Sequence, residues 1–167
     1  GLKQVIFVAC GGSFASSYPA RFLLNQESSL RVQGYNSSEF VNATPKNVDK
    51  NTLVIGTSTK ATAETVEALK VAKEKGAVTV GLSGYADSLT AQTADYYITY
   101  YHADEWYKDP TLVHYNSQGT ALKIAFWLLK EYDNYEAYDK ALEGFEKLET
   151  IYGKAYIDVR AEAAKFA

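Results

Sequence analysis

The sequence has little of several residues on which particular classes of protein depend. A single cysteine, Cys10, excludes an internal disulfide framework, and a reducing, cytoplasmic setting is the default expectation. The two histidines, His102 and His114, have no further ligand at metal-site spacing, so no metal site is expected. Three prolines and eleven glycines among 167 residues exclude collagen-like and low-complexity chains.

Long apolar runs and an excess of basic residues are also missing. The longest apolar cluster, residues 124–129, is far shorter than the roughly 20 residues needed to cross a bilayer, so no membrane partner is expected. A formal net charge of −3 gives no electrostatic reason to expect a nucleic-acid partner. The remaining composition, 47% apolar and 22% charged, is typical of one globular domain.

Short apolar runs alternate with helical patterns along the first hundred residues. Strands are predicted at residues 3–9, 30–35, 52–56, 77–82 and 96–100. The clearest helix, residues 61–75, ends before Gly76. This alternation is typical of parallel βαβ units with right-handed crossovers. The predicted fold class is therefore α/β, a three-layer α/β/α sandwich with a five-stranded parallel sheet.

Capping residues predict where the first helices begin. Ser13 is placed to cap a helix over residues 14–25, in which Pro19 predicts a bend. Ser37 or Ser38 is expected to cap a short helix after the second strand.

The last third of the chain is predicted to be helical from Pro110 onward, with a break near Gly153. We therefore divide the chain into a domain over residues 1–131 and a C-terminal helical extension over residues 132–167.

Two loops with suitable donors follow the first and third predicted strands, at the sheet edge where parallel sheets bind ligands. Residues 10–13 bring two glycines and a serine to a helix start, and residues 57–62 contain four hydroxyl groups. Clustered hydroxyls and free N–H groups match the acceptor oxygens of phosphate. Each loop alone is also explained as a turn that caps a helix, but two of them at one edge favour an anion site.

The candidate residues of this anion site are those that offer a donor. They are Gly12, Ser13, Thr57, Ser58, Thr59 and Thr62, and Lys60 is a further candidate as a cation.

No catalytic residue is assigned from the pattern. Glu39, after the second strand, is a weak candidate, and its alternative role is to support a helix cap. Asp104 and Glu105 are lesser candidates for contact with a ligand or a neighbouring subunit, and Cys10 is interpreted as a small buried residue.

These motifs resemble the sugar isomerase (SIS) family of phosphosugar-binding domains. Members carry a strand ending in a Gly-Ser turn, and a later strand followed by Ser-x-Ser-Gly-x-Thr; here these are VIFVACGGS and VIGTSTKATAETVEAL, with Lys60 in the place of the family's glycine. The resemblance covers about residues 3–130. It implies a flavodoxin-like fold, phosphate binding by the residues named above, and no metal or organic cofactor.

Within this family the sequence looks closer to the fructosamine 6-phosphate deglycases, on the phrases VACGGS, SSEFVNATP and VIGTSTKATAETVEAL and on the stretch that contains Trp106. That branch cleaves fructoselysine or related 6-phosphates to a sugar 6-phosphate and an amine. Its members carry two such domains, with the catalytic Glu and His in the second. The resemblance thus implies that this chain is the first half of an enzyme whose acid and base lie outside it.

Other functions stay open on the sequence. They are a phosphosugar-sensing module of a regulator, a ketose–aldose phosphate isomerase and an amino-sugar phosphate deaminase. Of the fourteen tyrosines, ten cluster at residues 96–107 and 132–156. Because tyrosine is enriched at subunit contacts, they favour a homodimer or higher homo-oligomer over packing between helices alone.

Overall fold

The computed structural model describes residues 1–100 and 110–165. Within that part, five strands and seven helices follow one another in the order expected of βαβ units. They are β1 (Gln4–Ala9), α1 (Gly11–Ser16), α2 (Tyr18–Glu27), β2 (Arg31–Asn36), α3 (Ser37–Asn42), β3 (Thr52–Thr57), α4 (Ala63–Glu74), β4 (Val78–Ser83), α5 (Leu89–Thr93), β5 (Tyr96–Thr99), α6 (Pro110–Asp133) and α7 (Tyr138–Ala163).

The five strands form one parallel sheet in the order β2-β1-β3-β4-β5. Strand β1 is buried along its whole length because helices cover both faces of the sheet. Val5 and Phe7 belong to a core cluster with residues of α2 and α6, whereas Ile6 and Val8 belong to a second cluster with residues of α3 and α4. This arrangement confirms the predicted three-layer α/β/α fold.

The helix after β1 begins earlier than predicted, and the expected cap by Ser13 is wrong. Cys10 is the N-cap of α1 and makes no side-chain cap bond, so Ser13 lies in the first helical turn. The reason is Gly11, whose φ of 53° lies in the left-handed region that favours glycine and turns the chain directly from strand into helix. The predicted bend is confirmed: α1 ends before Ser17, and Pro19 lies at the start of α2.

Helix α3 is capped by Asn36 and not, as expected, by Ser37 or Ser38. The Asn36 side-chain oxygen accepts a bond from the Ser38 N–H at 3.1 Å, and the Glu39 carboxylate accepts one from the Asn36 N–H at 3.2 Å. This is a reciprocal capping box, in which an amide oxygen replaces the usual hydroxyl. Ser37 is instead buried, and its hydroxyl shares a 2.9 Å hydrogen bond with Thr65 Oγ1 on α4.

The C-terminal helix α7 runs without interruption through Gly153, so the predicted break there is wrong. A glycine inside a helix costs only about 1 kcal/mol, which its helix-forming neighbours offset. Near its start α7 packs on α6, where the rings of Phe126 and Phe145 meet edge to face. Farther along, Ile151, Ile157 and Val159 are exposed. In the described part of the chain, no helix is both long and apolar enough to span a membrane.

Candidate functional site

The two candidate loops meet at the carboxyl edge of the sheet. Strands β1 and β3 are neighbours, and their last residues, Ala9 and Thr57, are register partners. After these two residues the chain continues on opposite faces of the sheet. Helix α1 packs against α6 on one face, and helix α4 packs against α3 on the other. The strand order changes direction at this point, and parallel sheets offer a ligand crevice at such a point.

The loop after β3, residues 58–62, is folded back on itself by Ser58. The Ser58 hydroxyl oxygen accepts a bond from the Thr62 N–H at 2.9 Å and shares a second bond with Thr62 Oγ1 at 3.0 Å. The Ser58 N–H donates to the Leu82 carbonyl at 3.0 Å, which fixes the loop to β4. Ser58 is 2% exposed, whereas Thr62 is exposed at the N-cap of α4.

Thr59 is held at three points, two of them on its carbonyl oxygen. That oxygen accepts bonds from the Gly84 N–H at 3.0 Å and from the Ser83 hydroxyl at 3.2 Å, and Thr59 Oγ1 accepts one from the Tyr100 hydroxyl at 3.0 Å. These contacts tie the loop to the ends of β4 and β5. Sequence analysis assigned no role to Ser83 or Tyr100, although Tyr100 ends the predicted strand 96–100 and Ser83 directly follows the predicted strand 77–82, both at the ligand edge.

The phenol of Tyr100 is a buried donor. Its side chain belongs to the apolar cluster between the sheet and α6, and the residue is 2% exposed. Burial raises the pKa of this phenol, and the hydrogen bond to Thr59 acts in the opposite direction with a smaller effect. The pKa of the Tyr100 phenol is therefore raised, so the phenol is protonated at neutral pH and donates to Thr59.

The loop after β1 faces the crevice with the first turn of α1. The first hydrogen bond of that helix runs from the Phe14 N–H to the Cys10 carbonyl at 3.4 Å, so the N–H groups of Gly12 and Ser13 lie ahead of the helical ladder. Gly12 is exposed and Ser13 is half-buried, while Thr57 across the crevice is buried. The structure therefore brings the two predicted sets of donors to one edge.

The remaining candidates fall at the margins of this crevice or outside the described residues. Lys60 is exposed, Glu39 is exposed and serves the capping box, and Cys10 is half-buried. His102, Asp104 and Glu105 lie outside the described residues, as does the side chain of His114. Among the residues that are described, no group of three or more His, Cys, Asp or Glu side chains is placed to hold a metal ion.

Comparison with known families decides the assignment. Residues 2–127 match the model of the SIS domain. The chain belongs to the SIS-domain family. The predicted family is thereby confirmed, on three quarters of the sequence and on the parallel sheet that carries the two loops.

Among its curated relatives, this SIS domain is similar to the fructosamine deglycase FrlB of Bacillus subtilis (strain 168), with 33% identity over 99% of the chain and 50% of the relative. It is also similar to the fructoselysine 6-phosphate deglycase of Escherichia coli (strain K12), with 32% identity over 59% of the chain and 29% of the relative. The likeness to the deglycase branch is thus confirmed. The chain spans half the length of the first of these relatives and less of the second.

Solved structures give the same assignment for the fold. A candidate phosphosugar isomerase from Salmonella typhimurium LT2 superposes with a TM-score of 0.90 and 35% identity, over 99% of this SIS domain and 50% of that chain. A candidate phosphosugar isomerase from Bacillus subtilis superposes with a TM-score of 0.82 and 32% identity, over 92% of this SIS domain and 46% of that chain.

Proposed function

We propose that this SIS domain binds the phosphate group of a sugar 6-phosphate, and that its substrate class is the fructosamine 6-phosphates. The observation that carries the proposal is the loop of residues 58–62. It presents hydroxyl groups at the N-terminus of α4, a helix of 12 residues, beside the point where the strand order changes direction. A helix N-terminus favours an anion, and hydroxyls satisfy its oxygens. The similarity to deglycases supports the choice of substrate class.

In this proposal each candidate residue has a defined task. The phosphate is held by the first turn of α1, which contains Gly12 and Ser13, and by the hydroxyls of Thr57, Ser58, Thr59 and Thr62. Lys60 adds a positive charge. Anchoring the phosphate positions the reacting carbons, which contributes through orientation. Release of an amine from a ketosamine also needs proton transfer beside the carbonyl carbon. We place that acid–base pair outside this chain. Within the chain, Glu39 is a candidate for a catalytic role.

The proposal extends to organisation and assembly. Residues 1–131 form the phosphosugar-binding domain, residues 132–167 form the helical extension, and the protein acts in the cytoplasm.

Exposed aromatic side chains on β5 and α6, among them Tyr96, Tyr97 and Trp127, support a homodimer. Light scattering should then report twice the 18.5 kDa mass of the chain; a monomer at high concentration would refute this point.

Replacing Thr62 with valine tests the phosphate site. The side chain is exposed, and valine removes its 3.0 Å bond with the Ser58 hydroxyl while the Thr62 N–H still donates to that hydroxyl. The fold should therefore tolerate valine, and the ligand loses one hydroxyl donor. A hydrogen bond to a charged group is worth about 1.5–3 kcal/mol. We expect the dissociation constant for fructose 6-phosphate, measured by calorimetry, to rise about tenfold.

The matched control is Thr150→Val, on an exposed position of α7. It makes the same chemical change far along the chain from the loop and should leave the affinity unchanged. Equal affinities for wild type, Thr62→Val and the control would show that residues 58–62 do not anchor the phosphate. Unphosphorylated fructose should not bind measurably to any of the three proteins.

A further inference from the structure

A cavity of about 590 Å³ lies on the face of the sheet that α6 covers, between β5, α6 and the first turns of α7. Most of its wall consists of apolar or aromatic side chains, namely Ile98, Tyr100, Ile124, Trp127 and Phe145. Its volume lies in the range of small-molecule sites, which are mostly apolar cavities with a few polar groups. None of the described residues that line it belongs to residues 58–62 or to α1, so it uses other residues than the candidate phosphate site.

Packing fixes two of these walls before a ligand arrives. The ring of Phe145 meets that of Phe126 edge to face, with the centroids 6.4 Å apart. Gly119 leaves room for this ring, because a Cβ there would lie 3.0 Å from Phe145 Cζ. Tyr100 is buried, and the hydrogen bond from its hydroxyl to Thr59 holds it in place. A ligand need not order these two side chains, which lowers the entropy cost of binding.

Trp127 supplies an aromatic face that is still open. The residue is 54% exposed although it lines the cavity. Trp127 comes four residues after Lys123 on α6, so the two side chains are neighbours on one face of the helix. Side chains at this spacing have Cβ atoms about 5–6 Å apart, a distance that an aromatic ring with an attached carboxylate can span.

Lys123 is the one charged residue among the described residues that line the cavity. Its ammonium lies 4.9 Å from the centroid of the Phe145 ring. The ion pairs between described residues use other lysines, namely Lys70, Lys73, Lys147 and Lys165. Within the described part of the chain, Lys123 therefore has no carboxylate partner. A cation of this kind beside an apolar cavity matches an organic anion.

We propose that this cavity, the α6 pocket, binds a small aromatic carboxylate. The ring packs against Trp127 and Ile124, and the carboxylate faces Lys123. Lys123 then selects the anion over a neutral compound of the same shape, while Trp127 provides affinity for the ring. This site goes beyond the proposed phosphosugar function, because it uses neither a phosphate group nor the loop of residues 58–62.

The test uses two probes that share one bicyclic ring, naphthalene-2-carboxylate and the neutral 2-naphthamide. We expect both to bind the wild-type protein in calorimetry. Lys123→Gln should weaken the binding of the carboxylate about three- to fivefold and leave that of the amide unchanged, since it removes one partly exposed ionic contact. Trp127→Ala should weaken the binding of both probes about tenfold, because it removes an aromatic wall.

Lys130→Gln is the matched control for the charge. Lys130 lies seven residues after Lys123 on α6, and its ammonium lies 4.3 Å from the centroid of the Tyr138 ring, but it does not line the cavity. Tyr132→Ala, which removes an exposed aromatic side chain from the same helix, is the control for Trp127→Ala. Both control variants should bind the two probes like wild type, and melting curves confirm that each variant is folded.

The α6 pocket is refuted if neither probe binds at millimolar concentration, or if Lys123→Gln affects both probes alike. It is also refuted if saturation with the carboxylate halves the mass measured by light scattering, since the cavity would then be a contact between copies of the chain. Titration with fructose 6-phosphate tests the proposed function separately, because Lys123 and Trp127 are not among the residues of that site.

Discussion

Replacing Ser58 with alanine is expected to weaken the binding of fructose 6-phosphate about 30- to 100-fold. The change removes a hydroxyl from the proposed phosphate site and also releases the turn that this hydroxyl closes with the N–H and Oγ1 of Thr62. One lost bond to a charged group accounts for at least about tenfold, and the loosened loop adds to it. The unpaired Thr62 N–H should lower the free energy of unfolding by about 1 kcal/mol. Calorimetry and thermal denaturation measure the two effects separately.

Ser38→Ala is the matched control, because Ser38 is exposed on α3 and contributes to the capping box through its backbone N–H and not through its hydroxyl. This variant should bind and melt like wild type. Should Ser58→Ala keep wild-type affinity although it melts at a lower temperature, Ser58 would be a structural residue only, and the phosphate would have to be bound elsewhere.

Among substitutions that add one methyl group to a glycine of the sheet, Gly81→Ala is expected to destabilise the protein most. A Cβ on this β4 residue would lie 2.6 Å from the Thr90 carbonyl oxygen and 3.3 Å from the Ala94 Cβ. The nearest obstacle is backbone, so α5 must move away from the sheet. Overpacking of this kind costs about 1–3 kcal/mol. For a chain of this size we expect the melting temperature to fall by about 3–10 °C.

Gly144→Ala adds the same methyl group to an exposed position of α7, where a Cβ meets nothing within 4 Å. It should stabilise the protein by up to about 1 kcal/mol, because alanine is the better helix former. If Gly81→Ala lowers the melting temperature and Gly144→Ala raises it, the close approach of α5 to β4 is the cause of the destabilisation at Gly81. A Gly81→Ala protein that melts like wild type would show that α5 is free to shift.

The sequence predicts the layered fold well because the strands of a parallel sheet are short apolar runs with helices between them. The runs that became β1 and β3 are buried almost throughout, which makes their signal strong. Strand β5 was also predicted, although all four of its residues are exposed at the sheet edge. The helix break predicted at Gly153 was wrong, because the residues around this glycine form a helix strongly enough to continue through it.

The loops of the candidate site were predicted from local composition, whereas their geometry depends on distant partners. Four hydroxyls within residues 57–62 were visible in the sequence, but nothing there shows that Ser58 bonds to Thr62 within the loop while Thr59 bonds to Tyr100, 41 residues away. Glu39 illustrates the reverse case: the spacing from Asn36 to Glu39 fits a capping box, and the structure shows one. The alternative role considered for that carboxylate is the one observed, and a catalytic role stays a prediction.

The Tyr100–Thr59 hydrogen bond joins the loop to the edge of the sheet. Tyr100 follows β5, which is an edge strand of the described sheet, and its ring is fixed in the core. A ligand that binds with Thr59 in its present position stabilises Tyr100 in place, and so stabilises the geometry of that edge. A partner that packs on β5 without displacing Tyr100 stabilises Thr59 in turn. We therefore expect binding at the two places to be thermodynamically linked, with each gaining the same free energy from the other.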